Sequence, residues 1–199
     1  ATAIVTVVDN RAPAVTVQDV NLNLDANGNA TLTVAQAEVS SSDNCSIASK
    51  VLSKTSFNCD DLGDNDVTLT VTDINGNATT KTFNVSITDT TAPTVIAQDY
   101  TVALDANGNA SISVQDIDNG SYDNCSLTLS LDKLTFDCSN VGDNTVTLSG
   151  VDASGNAATA TATVTVVDDI LPTFTASDFT GYLDEEGELT ISEQQIVDQ

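Results

Sequence analysis

The sequence predicts an all-β fold of tandem immunoglobulin-like β-sandwich repeats, each about 80 residues long and arranged end to end. Three observations support this prediction: a strand-type composition, motifs that recur at a fixed offset, and an alternation of apolar with polar residues. The chain has 199 residues, of which 40% are hydrophobic, so it is long enough for two modest domains with packed cores.

The composition favours strands and excludes several classes of partner. Aromatic residues make up 4% of the chain and Trp and Met are absent, so the apolar residues are mainly Val, Leu, Ile and Ala. The abundant β-branched side chains suit the pleated surface of a sheet. The 29 acidic and 5 basic residues give a net charge of −24, which predicts no nucleic-acid binding and no direct membrane insertion.

Several motifs recur along the chain at an almost constant offset. Asp25–Ala30 (Asp-Ala-Asn-Gly-Asn-Ala) returns intact at Asp105–Ala110, an offset of 80 residues. Further along the offset is 79, because Asp73–Ala78 returns as Asp152–Ala157, so the second copy lacks one residue between its cysteines. The predicted domains are the tail strand of a preceding repeat at 1–10, repeats at 11–90 and 91–169, and the N-terminal part of a truncated repeat at 170–199.

Apolar and polar residues alternate within each repeat, as in strands with one buried face. Val67, Leu69 and Val71 alternate with threonines, and this period of two residues predicts a half-buried strand. We expect about seven short strands and no helical stretch per repeat, as in an immunoglobulin-like sandwich. The Asp25–Asn29 segment predicts a hairpin turn, because Asn and Gly tolerate positive φ. Gly150 replaces Val71 in the second copy and predicts a β-bulge.

The four cysteines form two pairs in matching places. Cys45 and Cys59 are 14 residues apart, and Cys125 and Cys138 are 13 apart. One pair per repeat predicts one disulfide inside each repeat, and therefore an oxidising, extracellular setting. Zinc is the alternative, but the chain has no His and two thiolates alone make a poor zinc site.

Acidic and amide residues are concentrated where one repeat is expected to follow the next. The loop Asp43–Asn44, the turn Asp73–Asn77 and the joint residue Asp9 should lie at the same end of a sandwich. Calcium takes about six to eight oxygen ligands, which these residues supply, and the absence of His disfavours transition metals. The alternative is that these segments are simply good turn and loop sequences. The predicted calcium ligands are Asp9, Asp43, Asn44, Asp73, Asn75, Asn77, Asp89, Asp123, Asn124, Asp152, Ser154, Asn156 and Asp168.

The Asp25–Asn29 turn is a further candidate for metal binding. Its third copy is Asp184–Glu188 (Asp-Glu-Glu-Gly-Glu), which preserves a turn sequence and changes the type of the potential ligands. A structural turn therefore explains the recurrence better than a metal site does.

The recurring motifs resemble those of a known repeat family. They include Gly120–Cys125 (Gly-Ser-Tyr-Asp-Asn-Cys), Phe-x-Cys, Val141–Asn144 (Val-Gly-Asp-Asn) and Asp-x-x-Gly-Asn-Ala. This pattern resembles the HYR-type immunoglobulin-like repeats of very long Bacteroidetes surface adhesins, which the type IX secretion system exports and which include gliding-motility adhesins. The resemblance implies a surface filament that contacts substrata or polysaccharide. The first copy departs from the pattern, with Val39–Ser42 (Val-Ser-Ser-Ser) before its Asp-Asn-Cys.

These observations predict a non-catalytic, calcium-stiffened and disulfide-stabilised stalk of an extracellular surface adhesin. The expected partners are neighbouring repeats of the same chain and surface polysaccharide or substratum. A carbohydrate-binding module is the alternative, although only 3 Tyr and 5 Phe are available to stack on sugars. Without His, Ser-His and Cys-His catalysis are excluded, and we expect no enzyme. Strand sequence begins at the first residues without a signal peptide, so we expect a segment of a longer protein.

Overall fold

The computed structural model describes residues 2–173, 175–176, 180–190 and 197–198. It contains two consecutive β-sandwiches, which confirms the predicted all-β fold of tandem immunoglobulin-like repeats. The first repeat consists of β1 (Ala14–Val17), β2 (Val20–Asn23), β3 (Asn29–Thr31), β4 (Glu38–Ser42), β5 (Ile47–Leu52), β6 (Ser56–Asn58), β7 (Gly63–Asp73) and β8 (Ala78–Thr88). The second consists of β9 (Tyr100–Ala103), β10 (Asn109–Ser111), β11 (Thr128–Leu131), β12 (Thr135–Asp137), β13 (Gly142–Val151) and β14 (Ala157–Val167), and β15 (Thr175–Ala176) pairs with β16 (Val197–Asp198) beyond it.

A four-stranded sheet forms the larger layer of each sandwich. In the first repeat its order is β2-β8-β7-β5, with β2 parallel to β8 and the other neighbours antiparallel. The pairs β1–β4 and β3–β6 form the facing layer. The second repeat has the equivalent sheet β9-β14-β13-β11, faced by the pair β10–β12 and by the single bridges Thr94–Tyr122 and Ala97–Asp118.

Each repeat has its own hydrophobic core, because its strands turn alternate residues inwards. Val67, Leu69 and Val71 are fully buried in the first repeat, as the alternation predicts. Val146 and Leu148 take the same places in the core of the second repeat. The two cores are separate clusters, so the two repeats meet through their loops at a joint that follows β8.

The expectation of no helical stretch is wrong at two places in each repeat, one of which is a 3₁₀ turn, Cys59–Asp61 after β6 and Cys138–Asn140 after β12. Single helical turns, α1 (Val34–Ala37) and α2 (Val114–Ile117), follow β3 and β10. Each turn begins with a capping interaction: the Thr33 backbone N–H donates to Gln36 Oε1 at 2.8 Å, and the Ser113 N–H donates to Asp116 Oδ2 at 2.7 Å. The capping pattern was present in the sequence but lay within a region of strand-like composition.

The predicted bulge at Gly150 is also wrong. The pairing of β13 with both of its neighbours continues through Gly150 without a change of register. The bulge lies instead in the first repeat, between Ile47 and Ser49 of β5, where Ala48 is the extra residue of that copy. The one-residue difference between the two repeats is therefore absorbed by an edge strand and not by the core strand β13.

The predicted turn after β2 is present, but it does not connect two paired strands. Asp25 Oδ1 accepts the backbone N–H groups of Asn27 at 2.8 Å and Asn29 at 3.0 Å, and Gly28 has a φ of +73°. Because β2 belongs to the larger sheet and β3 to the facing layer, this turn carries the chain between layers and is not a hairpin. In the third copy, Asp184–Glu188 makes the same turn with glutamates in place of Ala26, Asn27 and Asn29.

Candidate functional site

The predicted ligand residues of the first repeat lie around the turn that joins β7 to β8. Asp73 is 2% exposed, and its Oδ1 accepts the backbone N–H groups of Asn75 and Asn77, both at 2.8 Å. Its Oδ2 accepts the Asn77 side-chain amide at 2.8 Å. Burial raises the pKa of Asp73, but these hydrogen bonds outweigh burial and hold the pKa below its usual value. Asp73 is therefore an ionised carboxylate inside the joint.

The same turn holds the segment that leads into the first repeat. Asn75 Nδ2 donates to Asp9 Oδ2, and Asn77 Nδ2 donates to the Asp9 backbone oxygen, both at 3.2 Å. The Cys45 thiol lies beside Asp9, and their hydrogen bond is the main cause that lowers the pKa of Asp9 and raises the pKa of Cys45. The loop and turn predicted to meet Asp9 do meet it.

The loop that carries the first cysteine of each repeat is shaped by its own aspartate. Cys45 N–H donates to Asp43 Oδ2 at 2.8 Å, and Cys125 N–H donates to Asp123 Oδ2 at 2.9 Å. Asn44 adjoins the Cys45 sulfur, with its Nδ2 3.6 Å from Sγ. The second carboxylate oxygen of each aspartate, Oδ1, is buried.

The second repeat reproduces this arrangement where it follows the first. Asp152 is 7% exposed, and its Oδ1 accepts the backbone N–H groups of Ser154 at 2.9 Å and Asn156 at 2.8 Å. Asn156 Nδ2 donates to Asp152 Oδ2 at 2.7 Å and to the Asp89 backbone oxygen at 3.1 Å. As in Asp73, burial raises the pKa of Asp152 but hydrogen bonds from Asn156 and the turn lower it overall.

Carboxylates from both sides of this joint converge. One oxygen each from Asp89, Asp123 and Asp152 lies within 4.8 Å of the others, and Asp89 is 5% exposed. Asp89 Oδ2, Asp123 Oδ1 and Asn124 Oδ1 are buried and have no hydrogen-bond partner among the described residues. The first joint has a similar group, Asp9, Asp43 and the Cys45 thiol, in which Asp43 Oδ1 is buried without a partner.

This set of oxygens fits a hard divalent cation. Two unit charges about 4 Å apart repel by about 4 kcal/mol at the effective dielectric constant of a protein surface. Buried polar atoms normally have partners, so buried carboxylate oxygens without donors are typical of a site that a cation or ordered water completes. Carboxylate, amide and backbone oxygens are the ligands that calcium prefers, and the second joint offers all three kinds.

A disulfide crosses the same joint, and it overturns the predicted cysteine pairing. Cys59 of the first repeat bonds to Cys125 of the second, with an S–S distance of 2.04 Å and a Cα–Cα distance of 5.4 Å. Cys45 and Cys138 are free and exposed in the described part of the chain. The predicted pairs Cys45–Cys59 and Cys125–Cys138 are therefore wrong: the one observed disulfide links two repeats and does not lie within either.

Asn124 connects the disulfide to the carboxylate cluster. Its Nδ2 donates to the Asp25 backbone oxygen at 3.1 Å and to Asp89 Oδ1 at 3.2 Å, so it bridges the first repeat and the connecting segment. Its backbone oxygen lies 3.4 Å from Cys59 Sγ. Sequence analysis missed the contribution of Asp25, because its backbone oxygen, and not its side chain, receives the loop.

Asp168 occupies the position after β14 that Asp89 occupies after β8. Its Oδ1 accepts the backbone N–H of Ile170 at 3.1 Å, just as Asp89 Oδ1 accepts that of Thr91 at 2.9 Å. Asp168 is exposed, and the structure brings no other predicted ligand to it. The predicted ligands therefore form two clusters, at Asp9 and at Asp89, with Asp168 alone at the far end of the second repeat.

Comparison with curated proteins identifies relatives that are much longer than this chain. No protein-family model matches the chain. Hyalin of Strongylocentrotus purpuratus is 32% identical over 169 residues, which cover 81% of this chain and 14% of hyalin. The serine-rich adhesin for platelets of Staphylococcus aureus is 34% identical over 111 residues, which cover 50% of this chain and 5% of the adhesin. The chain thus spans only a small part of either relative.

Solved structures with a similar arrangement include cadherin segments. Human protocadherin-24 EC1-2 has a TM-score of 0.42 and 14% identity, and the match covers 80% of this chain and 100% of the protocadherin chain. Mouse cadherin-23 EC22-24 has a TM-score of 0.41 and 14% identity, covering 81% of this chain and 66% of that one. Within the described residues, no helix has the length and apolar character needed to cross a membrane. The chain is an all-β segment of tandem repeats, located outside the cell or at its surface.

Proposed function

We propose that the chain is a non-catalytic stalk segment of a long surface adhesin, in which calcium and a disulfide hold consecutive repeats in line. The observation that carries the proposal is the cluster of Asp89, Asp123 and Asp152, whose oxygens lie within 4.8 Å and include two that are buried without donors. These residues come from both sides of the joint. A cation bound among them contacts both repeats, and its binding free energy therefore favours the aligned joint.

The wider role rests on resemblance. The HYR-type motifs and the two curated relatives support adhesion as the task of the whole protein. Contact with surface polysaccharide or substratum, a part in gliding motility and export by the type IX system belong to the same proposal and are supported by the family resemblance alone. Repeated domains with short joints give such a protein reach, and rigid joints keep its tip away from the cell.

The test compares the chain with and without calcium. Calorimetric titration should give a dissociation constant of about 10⁻⁴–10⁻³ M, as in other extracellular modules. Calcium should raise the melting temperature, because it binds only the folded joint. Small-angle scattering should show a longer and narrower distribution of dimensions with calcium than with a chelator. Equal melting temperatures and equal dimensions in both states would refute the proposal.

A pair of variants identifies the joint as the cause. Asp123→Asn removes the charge from the cluster but keeps an oxygen to accept the Cys125 N–H, which Asp123 accepts at 2.9 Å. Asp66→Asn removes the same charge from an exposed position on β7. We expect Asp123→Asn to lose the calcium-dependent change in dimensions and Asp66→Asn to retain it. Loss in both variants would show that calcium acts through net charge and not through the joint.

A further inference from the structure

The far end of the second repeat carries a surface that corresponds to an occupied surface on the first. We call it the Cys138 face, and it borders a cavity of about 370 Å³. The corresponding surface of the first repeat receives the loop Asp123–Cys125 and forms the disulfide through Cys59. The Cys138 face consists of Leu104, Asp105, Ala106, Gly108, Cys138, Asp168, Ile170, Leu171 and Pro172.

The sulfur atoms of the two surfaces have the same local geometry. Cys59 Sγ lies 3.8 Å from the Gly28 oxygen, and Cys138 Sγ lies 3.7 Å from the Gly108 oxygen. The two glycines have φ angles of +73° and +74°, and a Cβ on either would lie within 2.7 Å of the cysteine sulfur. Cys138 is therefore placed as Cys59 is placed, although only Cys59 is in a disulfide.

The polar atoms that receive the incoming loop are also reproduced. The backbone oxygens of Asp25 and Asp105 each accept the N–H of the glycine three residues on, at 2.9 Å. In the first repeat the Asp25 oxygen also accepts Asn124 Nδ2 at 3.1 Å, and Asp89 Oδ1 accepts the same amide at 3.2 Å. The equivalent acceptors of the Cys138 face are the Asp105 backbone oxygen and Asp168 Oδ1, so the face offers the two hydrogen bonds that recognise an asparagine.

The other half of such a joint is present at the opposite end of the chain. The loop Asp43–Cys45 repeats the sequence Asp-Asn-Cys of the loop that Cys59 binds. Its cysteine N–H donates to its aspartate at 2.8 Å, against 2.9 Å in the bonded loop. Cys45 is exposed and free, although the loop around it already has the shape of the bonded one.

We propose that the Cys138 face is a docking and disulfide-forming site for the Asp-Asn-Cys loop of another repeat of this type. In this arrangement the second cysteine of each repeat bonds to the first cysteine of the next repeat. Cys45, the first cysteine of its repeat, would then bond to the second cysteine of a preceding repeat. A covalent link then crosses every joint of an array. The inference rests on the Cys59–Cys125 joint and is independent of the proposed calcium site.

The chemistry of the link is a thiol–disulfide reaction. When two thiols form the bond in the extracellular medium, two protons and two electrons leave, and the oxidant is the disulfide of a thiol–disulfide oxidoreductase, which is reduced to its dithiol. A simpler reaction reports on the same site. The Cys138 thiolate attacks the loop sulfur of an activated mixed disulfide, the new S–S bond forms, and the activating thiolate leaves.

The test uses the chain with Cys45→Ser, which leaves Cys138 as the free thiol. The probe is a synthetic peptide of residues 121–127 (Ser-Tyr-Asp-Asn-Cys-Ser-Leu) whose cysteine carries 5-thio-2-nitrobenzoate, and the release of coloured thionitrobenzoate gives the rate. A matched peptide has Ala in place of the Asn. The same mixed disulfide of N-acetylcysteine corrects for the intrinsic reactivity of the thiol, and all rates are measured in the presence of a chelator.

We expect the Asn peptide to react with Cys138 about tenfold faster than the Ala peptide, because two hydrogen bonds position its sulfur. The Cys138→Ser chain, whose free thiol is Cys45, should show a ratio near one, since Cys45 lies in a loop and not on a receiving face. Peptide mapping should find the adduct on Cys138 and the Cys59–Cys125 bond intact. Equal rates for the two peptides at Cys138, or an adduct on Cys59, would overturn the inference.

Discussion

Asparagine amides fix the geometry of each joint at the scale of single residues. Asn77 donates to the Asp73 carboxylate at 2.8 Å and to the Asp9 backbone oxygen at 3.2 Å, and Asn156 makes the equivalent pair of bonds in the second repeat. A side-chain amide has two donors, so one residue can hold a turn and a passing chain together. The Asp-x-x-Gly-Asn spacing predicted these residues correctly as neighbours of the joint, because the turn is local in sequence.

The contact of Asn124 with the Asp25 backbone could not be predicted in the same way. The two residues are 99 positions apart, and the acceptor is a backbone oxygen that every residue has. Gly28 was the only part of this contact that stood out in the sequence. A turn that needs a positive φ was already a sufficient reason for a glycine there. In the structure this glycine also allows the next repeat to approach closely.

We predict that Gly28→Ala weakens the joint by more than the backbone strain alone. A Cβ at this position would lie 2.6 Å from the Asn124 backbone oxygen and 2.7 Å from Cys59 Sγ, so the docked loop would have to move. Gly63→Ala is the matched control, since Gly63 has a φ of +97° and open space around its Cβ position. Urea unfolding should show a loss of about 1–2 kcal/mol from backbone strain in both variants and a larger loss in Gly28→Ala. Equal losses would mean that the joint adapts freely.

The path of the strands decides the cysteine pairing at the scale of the elements. β5 (Ile47–Leu52) and β6 (Ser56–Asn58) lie between Cys45 and Cys59, and a six-residue strand spans about 20 Å. The two cysteines are therefore carried towards opposite ends of the sandwich, whereas a disulfide needs Cα atoms within about 7 Å. The predicted pairing treated the 14 residues from Cys45 to Cys59 as a local loop. It failed because two strands lie between these cysteines.

The alternation of buried and exposed residues in β7 and β13 was predicted well. The sequence did not predict that side chains from other strands fill the space of a missing side chain in β13. Val71 pairs with Lys50 in the first repeat, and Gly150 pairs with Leu129 in the second. A Cβ on Gly150 would lie 2.7 Å from Val95 Cγ2, 2.9 Å from Leu127 Cδ1 and 3.3 Å from Leu129 Cδ2. Val95, Leu127 and Leu129 together occupy the space beside Gly150, and a single sequence gives no sign of such a compensation.

Gly150→Val should therefore destabilise the second repeat, although it restores the residue that the first repeat has. Overpacking of a core typically costs about 1–3 kcal/mol. Combining it with Leu129→Ala removes the contact at 3.3 Å and gives the valine room to shift away from Val95 and Leu127, so the double variant should be more stable than the sum of the single effects by about 0.5–3 kcal/mol. Urea denaturation of the four chains gives this coupling free energy. A coupling near zero would show that Leu129 does not fill the space that Val71 fills in the first repeat.

At the scale of the molecule, the described residues form two independent cores, and the joint between them has two kinds of link. Burial of apolar side chains stabilises each repeat separately, whereas the disulfide and the carboxylate cluster act between repeats. The tandem arrangement and the position of the acids at the joint were predicted, because both follow from recurring local motifs. A net charge of −24 favours extension through self-repulsion, but repulsion alone leaves the angle between repeats undefined.

The final prediction is that the disulfide and calcium act together at this joint. In Cys59→Ser/Cys125→Ser both repeats should stay folded, because their cores are separate, but the stability should fall by up to about 4 kcal/mol for a separation of 66 residues. The loop with Asp123 then loses its anchor, so calcium affinity at the joint should fall about tenfold through lost preorganisation. Cys138→Ser removes a free thiol that belongs to neither carboxylate cluster and keeps the disulfide, and it should bind calcium as the unaltered chain does. Calorimetric titration of the three chains checks this, and an equal affinity in all three would show that the cation site is formed without the covalent link.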